Sequence, residues 1–426
     1  MSTAPHRSDP PPMSMGTRFD PSRFAFEELY ATLADARSDE PVFWSDRYHA
    51  WVVTRYDDVV SVVRSDAFSV KGVLEAPQLG GYCPEARKVL AEGVDWMVTG
   101  HVQMDEGPQH SRFRKALLSV VTPKRVQEME PIVRRIIHDL IDKMAARGHC
   151  EFCADFAYPL AMLTTLRMIG FEEAEKDMDK FPLWADDTFK LILKSMTPEE
   201  QVAAARHAVE FQHYIRDKIA ARRASPRDDM LSNIVDLLAN GEARITDDEM
   251  IIMFTHSFVG AGQETTKLGL TNLMLHVLNE PGQWEAVKQN PEALENFVEE
   301  ALRYDPPLLG LFRFCIRDTT VSGVEIKAGD KVFFLMGSAN HDAEKYADSD
   351  RFCPFREKGA SHLTFNTGKH FCVGAGLARL EMRLALEILS QRLPSLRLRP
   401  GQAITYNSTD ASRFLSRLEL EWDVAA

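Results

Sequence analysis

The sequence lacks the features that would place the protein in a membrane or on nucleic acid. Its 426 residues contain no apolar run of transmembrane length, and the N-terminus has no hydrophobic signal core. Acidic residues (63) outnumber basic residues (50), and the net charge of −13 argues against general nucleic-acid binding. We therefore expect a cytoplasmic protein without a membrane anchor.

Cysteine is also scarce, and its spacing excludes a disulfide framework. The six cysteines are Cys83, Cys150, Cys153, Cys315, Cys353 and Cys372. A chain of this length can form a stable core without disulfide bonds, and cysteines without a disulfide pattern are typical of proteins from a reducing cytosol. Cys150 and Cys153 form a lone C-x-x-C pair, and the second pair or nearby histidines of a zinc site do not follow. We interpret this pair as chance spacing.

The chain reads as one domain behind a short tail. Residues 1–19 are rich in proline, serine and methionine and predict a disordered tail, and residues 20–426 show neither a repeat nor an interdomain linker. Helical periodicity dominates, and short alternating segments predict a hairpin near residue 50 and strands near residues 320 and 410. The predicted fold is mainly α with small β-sheets.

One cysteine stands out because glycines flank it and a helical pattern follows at once. Cys372 lies in Gly368–Gly376, and the apolar pattern from Leu377 ends before Pro394. A thiolate ahead of a helix N-terminus is favoured by the helix dipole and by backbone N–H groups, and such a thiolate can ligate haem iron. On these residues alone, a buried structural cysteine before an ordinary helix remains the alternative.

The longer stretch from residue 365 to 376 resembles the haem-binding loop of the cytochromes P450. The matching residues, at the family spacing, are Phe365, Gly368, His370, Cys372 and Gly374. Asn366 departs from the pattern, since glycine is usual there. Asparagine tolerates positive φ better than other non-glycine residues, so we expect the turn to persist. The resemblance implies the cytochrome P450 fold, with haem b (iron protoporphyrin IX) held between the cysteine loop and a long central helix.

A helical pattern from Thr246 to Glu280 is the longest in the chain and matches that central helix. Thr246 and Glu249 form a capping box. Its middle carries two glycines, an acid and two threonines, which weaken a helix interior. One explanation is close helix packing, with a threonine bonded back to a carbonyl. The resemblance implies instead that Glu264 relays protons and that Thr265 is the alcohol that contacts dioxygen.

Further family positions follow from the same resemblance. It assigns His110, Arg114, Arg313 and His370 to the haem propionates and Ala261 to the haem face. It assigns Glu300, Arg303 and Arg351 to a structural set that fixes the cysteine loop. It places Ser257, Gly260, Leu309 and residues of Val70–Met104 around the substrate.

The implied activity is monooxygenation, the insertion of one atom of O2 into a small apolar organic substrate. The sequence shows no flavin module and no ferredoxin-like cysteine set. We therefore expect a monomer that takes electrons from a separate ferredoxin and ferredoxin reductase. The candidate docking residues are Arg112, Lys115, Lys124, Arg125 and Lys369. The alternatives are a haem-thiolate peroxygenase or oxidative coupling enzyme, and a non-catalytic haem-binding sensor.

Overall fold

A computed structural model describes most of the chain, and the rest of the description refers to this part. The described residues are 14–21, 25–71, 82–95, 99, 106–171, 176–193, 196–241, 244–356, 361–408, 412–415 and 417–424. Helices predominate in them and the strands are short. This architecture confirms the predicted fold class.

The helices follow one another with few strands between them. In the first half they are α1 (Met15–Arg18), α2 (Phe26–Asp39), α3 (Tyr56–Arg64), α4 (Pro84–Leu90), α5 (Gly107–Val120), α6 (Pro123–Met144), α7 (Tyr158–Met168), α8 (Phe181–Leu193) and α9 (Pro198–Ala224). In the second half they are α10 (Met230–Asn240), α11 (Asp247–Ile252), α12 (Ala261–Asn279), α13 (Gln283–Gln289), α14 (Leu294–Tyr304), α15 (Met336–Ala339) and α16 (Ala375–Arg392).

The strands form small sheets at the edges of the helical body. They are β1 (Val42–Ser45), β2 (Ala50–Val53), β3 (Phe68–Ser69), β4 (His149–Glu151), β5 (Leu311–Cys315), β6 (Thr319–Val321), β7 (Val324–Ile326), β8 (Lys331–Phe334), β9 (Arg397–Leu398), β10 (Tyr406–Ser408), β11 (Arg413–Leu415) and β12 (Glu419–Glu421). The largest sheet has the order β1-β2-β8-β5-β3, and its β1–β2 pair is the predicted hairpin. Strand β5 carries Arg313, so this sheet positions one of the expected haem contacts.

The predicted boundary of the tail at residue 19 is wrong. Residues 15–18 form helix α1, and Met15 and Phe19 are 5% and 1% exposed. Both pack in a hydrophobic cluster with Phe43 and Tyr48. These partners lie some thirty residues away in sequence, so composition alone concealed the burial. Residues 1–13 of the predicted tail lie outside the described residues.

The central helix connects two hydrophobic cores. Residues 250–254 pack in a core with helices α5, α8, α9 and α10, whereas residues 270–277 pack in a second core with α6, α14 and α16. The predicted capping box at Thr246 is present, and helix α12 ends at Asn279, before Pro281. Between α11 and α12, Met253–Gly260 form a π-helical segment. The segment Gly260–Lys267 therefore lies at the boundary of the two cores, a suitable place for a site.

The cysteine pair and the helices bear on the sequence predictions about metal sites and membrane segments. Cys150 is buried, Cys153 is half-buried, and burial raises their pKa values to about 12 and about 11. In the described part of the chain, three or more His, Cys, Asp or Glu side chains nowhere gather in an arrangement that could hold a metal ion. None of the helices in that part combines the length and apolar character that crossing a membrane requires.

Candidate active site

The cysteine loop folds back on itself through backbone hydrogen bonds. The N–H of Cys372 donates to the carbonyl of Phe365 at 2.9 Å, and the N–H of Asn366 donates to the carbonyl of Leu363 at 2.7 Å. Asn366 has φ +61° and Gly368 has φ +67°, so the turn needs the left-handed conformation twice. The side-chain oxygen of Asn366 accepts the N–H of Thr367 at 2.8 Å. Asparagine thus supports the turn in place of glycine, as the sequence predicted.

The thiol of Cys372 lies at the start of helix α16. The backbone N–H groups of Gly374 and Ala375 donate to its sulfur, and α16 begins at Ala375. A Cβ at position 374 would lie 3.9 Å from the sulfur. Cys372 is exposed as a residue, but desolvation by the atoms around its sulfur raises the pKa of the thiol, while these two N–H groups and the charge of Arg114 act in the opposite direction. These donors would support a thiolate ligand once a cation binds to it.

A cluster of basic groups lies beside the loop. The rings of His110 and His370 are 4.4 Å apart, and Arg313, which is 6% exposed, lines the same pocket as His370 and Glu106. Burial and the charge of Arg313 lower the pKa of His370 to about 3, and burial lowers the pKa of Arg313 to about 10. Burial also lowers the pKa values of His110 and Arg114. The four groups therefore favour an anionic ligand.

The residues of the site fit a haem. The buried Nε2 atom of His110 has no hydrogen-bond partner among the described residues. The guanidinium of Arg313 donates to the backbone carbonyl of Phe312, and Glu106 is the carboxylate whose charge acts on it. The two carboxylates of a haem would supply the missing anions, and Cys372 would supply a sulfur ligand for its iron. The structure thus brings together His110, Arg114, Arg313, His370 and Cys372, as predicted.

A buried ion pair connects helix α14 to the cysteine loop. Arg303 makes a two-point hydrogen bond with Glu300, each contact at 2.8 Å, and donates to the carbonyl of Asn340 at 2.8 Å. The side chain of Asn340 in turn bonds Leu363 and Thr364, directly before Phe365. This chain of contacts supports the structural role predicted for Glu300 and Arg303.

The prediction of Arg351 as the third member of this set is wrong. Its side chain is exposed, and only its backbone carbonyl takes part, accepting from Arg303 at 3.0 Å. The second guanidinium that approaches Glu300, besides that of Arg303, belongs to Arg356 and lies 3.2 Å away. Glu300 also accepts the N–H of Cys353 at 2.7 Å. The turn between residues 351 and 356 thus places the side chain of Arg356 beside Glu300.

The open side of the central helix consists of half-buried residues between buried ones. These residues are Ser257, Ala261, Gly262, Glu264 and Thr265. A Cβ on Gly262 would meet the side-chain oxygen of Thr165 at 2.9 Å, so helices α7 and α12 touch at this glycine. The hydroxyl of Thr265 donates to the carbonyl of Ala261 at 2.8 Å. Both structural features considered for this segment, close packing and a back-bonded threonine, are therefore present.

Glu264 makes an ion pair that the sequence analysis did not identify. Its Oε2 atom accepts from the ammonium of Lys267 at 2.6 Å, and the two side chains are 28% and 20% exposed. The i, i+3 spacing on a helix was the available signal, since residues so placed are neighbours. Arg356 was missed because its contact with Glu300 spans 56 residues. That pairing cannot be read from local spacing.

The predicted substrate contacts are only partly supported. Ser257 and Ala261 lie on the open side of the central helix, and Gly260 is buried at the end of the π-helical segment. Leu309 is 4% exposed and packs against Phe333 and Leu335, and its place in the substrate pocket stays a prediction. Of Val70–Met104, residues 72–81, 96–98 and 100–104 lie outside the described residues.

The candidate docking residues differ in how available they are. Arg112 pairs with Glu249, and Arg125 donates to the carbonyl of Val120 at 2.9 Å. Lys369 pairs with Asp66 at 2.8 Å, although both side chains are largely exposed. Lys115 is exposed, and the Lys124 side chain is 85% exposed. Lys124 also pairs with Glu128 at 3.8 Å. Lys115, Lys124 and Lys369 are thus within reach of a partner protein because their side chains are exposed.

Comparisons with known proteins agree with this geometry. The sequence profile of the family described as Cytochrome P450 matches residues 84–402. The chain is 32% identical over 360 residues to Cytochrome P450 107B1 of Saccharopolyspora erythraea, covering 82% of this chain and 83% of that protein. It is also 32% identical over 380 residues to the Steroid C26-monooxygenase of Mycobacterium tuberculosis, covering 89% of each.

The fold has equally clear counterparts among solved structures. Cytochrome P450 CREJ in complex with (4-ethylphenyl) dihydrogen phosphate superposes with a TM-score of 0.85 and 28% identity, covering 94% of this chain and 98% of that one. Family members carry haem b, with the iron held by a cysteine thiolate. The profile match, the relatives and the fold agree with the cysteine loop, and the chain belongs to the cytochrome P450 family as a haem-dependent monooxygenase.

Proposed function

We propose that the thiolate of Cys372 would hold the haem iron and that Glu264 and Thr265 deliver the protons that monooxygenation consumes. The bound haem activates dioxygen, and the chain supplies ligation, orientation and protons. The observation that carries the proposal is the site itself. The chain combines a sulfur with two N–H donors, a basic cluster near it, and an acid–alcohol pair in the middle of the central helix.

The acid–alcohol pair supports the monooxygenase over the alternatives. A peroxygenase takes its oxygen from peroxide and needs no relay of two protons to dioxygen. A sensor needs neither an acid nor an alcohol beside the ligand. Thr265 and Glu264 are half-buried on the open side of the central helix, where a general acid would act. In this arrangement the hydroxyl of Thr265 would break its hydrogen bond to the carbonyl of Ala261 and donate to dioxygen instead.

Replacement of the hydroxyl tests the assignment. In Thr265→Ala, we expect product formed per O2 consumed to fall about tenfold, with the lost oxygen recovered as hydrogen peroxide, because proton delivery is misdirected. The carbon monoxide spectrum should stay unchanged. The matched control is Thr271→Ala, which removes another threonine of helix α12 that is bonded back to a carbonyl, at 2.8 Å. Unchanged product formation in Thr265→Ala would contradict the proposal.

We further propose that the electrons come from a separate ferredoxin and its reductase. The exposed Lys115 and Lys124 support docking on the surface near the cysteine loop. A Cβ on Gly376 would lie 3.9 Å from Val126, so the start of helix α6 adjoins the start of α16. Phe371, which is 43% exposed, lies next to the cysteine in the same loop. An acidic ferredoxin would match the lysines.

The substrate that fits best is a small apolar organic molecule. The residues proposed to face it, Ser257, Gly260 and Ala261, are small and carry no charge, which suits an apolar ligand. One relative, the Steroid C26-monooxygenase, acts on a steroid, as its name indicates. Changes in the ferric visible spectrum on addition of steroids, fatty acids and aromatics would identify the class, and uniformly absent changes would contradict an apolar substrate.

A further inference from the structure

Glu299, the neighbour of Glu300 on helix α14, forms a separate ion pair beside the cysteine loop. Its carboxylate accepts two hydrogen bonds from the guanidinium of Arg379 on helix α16, one from Nε at 2.6 Å and one from Nη2 at 2.9 Å. Such a two-point contact fixes the plane of the guanidinium as well as its position. The pair therefore sets the direction in which the flat face of Arg379 points.

The flat face of this guanidinium lies against Phe365, which opens the cysteine loop. The central carbon of the Arg379 guanidinium is 4.4 Å from the centre of the Phe365 ring, and the ring is half-buried. The face of an aromatic ring attracts a cation in this position. The carbonyl of Phe365 in turn accepts the N–H of Cys372 at 2.9 Å. A single residue, Phe365, thus connects Arg379 to Cys372.

His362 contacts the same acid and the same ring from the chain that leads into the loop. Its Nε2 atom lies 3.2 Å from Glu299, and because a carboxylate only accepts, this nitrogen carries the proton and donates. The ring centres of His362 and Phe365 are 5.8 Å apart, and the His362 side chain is 8% exposed. Glu299, Arg379 and His362 thus form an outer cluster around Phe365.

The two neighbouring acids of helix α14 reach the loop by different routes. The route from Glu300 ends at residues 363 and 364, through the side chain of Asn340. The route from Glu299 ends one residue later, at Phe365. The side chains of Glu299 and Arg379 are 42% and 37% exposed, so their pairing adds little to overall stability. Its effect should therefore appear in the loop itself.

We propose that the outer cluster is a second anchor of the cysteine loop, which holds Phe365 and, through it, the sulfur of Cys372. Its members are positioning residues, since they would act on the haem iron only through Cys372. Groups that hold a metal ligand from behind decide how firmly that ligand keeps its place. The anchor stands on contacts within the chain, whereas its consequence for the haem rests on the proposed role of Cys372.

Removal of the acid charge in Glu299→Gln should loosen the loop of the haem-loaded protein. We expect the backbone N–H groups of residues 363–374 to exchange with deuterium about tenfold faster. We also expect the red-shifted carbon monoxide band to convert to the ordinary position about tenfold faster on mild warming, because the sulfur is held less firmly. Arg379→Lys should behave alike, since an ammonium keeps the charge but lacks the two-point bond and the flat face.

The matched control is Glu130→Gln, which removes an acid of similar exposure that also bonds arginine. Glu130 on helix α6 is 34% exposed and accepts from Arg134 at 2.7 Å and from Arg383 of helix α16 at 3.4 Å. The control should exchange and convert at the wild-type rates. Wild-type rates in both Glu299→Gln and Arg379→Lys would overturn the anchor, and so would equal effects of Glu299→Gln and Glu130→Gln.

A double-mutant cycle tests whether Arg379 acts through Phe365. Arg379→Gln should speed the conversion in the protein that keeps the ring and add little in a Phe365→Leu background, because the group that the guanidinium holds is then missing. Fully additive effects of the two changes would contradict this route and overturn the anchor.

The anchor and the proposed function can fail separately. Faster exchange in Glu299→Gln, together with an ordinary Soret band in the wild-type protein, would support the anchor and overturn the role of Cys372. A red-shifted wild-type band, together with wild-type exchange and conversion in Glu299→Gln and Arg379→Lys, would overturn the anchor and leave the proposed function in place.

Discussion

At the scale of single residues, the site depends on charged groups that burial has taken from water. Arg303 and Glu300 are 2% and 6% exposed, and the pair holds the turn that leads into the cysteine loop. Burial alone would oppose ionisation of Glu300, yet its hydrogen bonds to Arg303 lower its pKa below the usual 4.5. A group whose pKa falls on folding stabilises the folded state above its ordinary pKa and loses that effect as the pH falls.

Removal of the Glu300 charge should therefore destabilise the folded protein. In Glu300→Gln, the buried guanidinium of Arg303 and the half-buried guanidinium of Arg356 lose their anion, and we expect the free energy of unfolding to fall by about 3 kcal/mol at neutral pH. Urea denaturation followed by circular dichroism measures the change. The difference from wild type should shrink as the pH falls below 4.5, where Glu300 of the unfolded chain takes up a proton, and vanish below the lowered pKa of Glu300 in the folded protein.

The matched control for this prediction is Glu285→Gln. Glu285 forms an ion pair of the same i, i+3 spacing with Lys288, but its side chain is 60% exposed. Exposed pairs of this kind contribute about 0.5 kcal/mol or less. Equal losses in the two variants would contradict the view that burial gives the Glu300 pair its importance.

At the scale of secondary structure, the sequence pattern predicted those features that depend only on residues close together in the chain. The capping box at Thr246 and the end before Pro281 gave the limits of the central helix to within a residue or two. The π-helical turn from Met253 to Gly260 was not predicted, because its insertion leaves the apolar pattern unbroken. A cysteine loop with Asn366 at positive φ was expected, because asparagine tolerates that conformation.

Features that depend on distant contacts could not be predicted in the same way. Gly16 in helix α1 lies so close to the backbone of Trp44 that no Cβ would fit, and the sequence near residue 16 gives no sign of this partner. Arg351 and Arg356 lie in the same turn, and only the fold decides which guanidinium meets Glu300.

At the scale of the whole molecule, charge is distributed unevenly. The net charge of −13 would repel an acidic partner, so docking depends on the local lysines near the cysteine loop. Lys124 is in the first turn of helix α6, and Lys143 is in its last turn. At about 1.5 Å per residue, the two lysines are roughly 30 Å apart, well beyond the screening length of about 8 Å in physiological salt.

This separation gives a test of docking. In Lys124→Gln, we expect the rate of reduction by an acidic ferredoxin to fall about threefold at low ionic strength, and the difference from wild type to vanish at high salt. Stopped-flow measurement of haem reduction gives the rate. The control Lys143→Gln makes the same charge change at the far end of the same helix and should reduce at the wild-type rate. Equal effects of the two changes would rule out docking at the cysteine loop.

The carbon monoxide spectrum of the dithionite-reduced protein tests most directly whether Cys372 carries the haem iron. The account predicts a strongly red-shifted Soret band in the wild-type protein, because a thiolate donates electron density to the iron. The band should be lost in Cys372→Ser and kept in Cys353→Ser, a control at a half-buried cysteine. A Soret band at the ordinary position in the wild-type protein, or a red-shifted band that survives in Cys372→Ser, would contradict the assignment of Cys372 as the ligand.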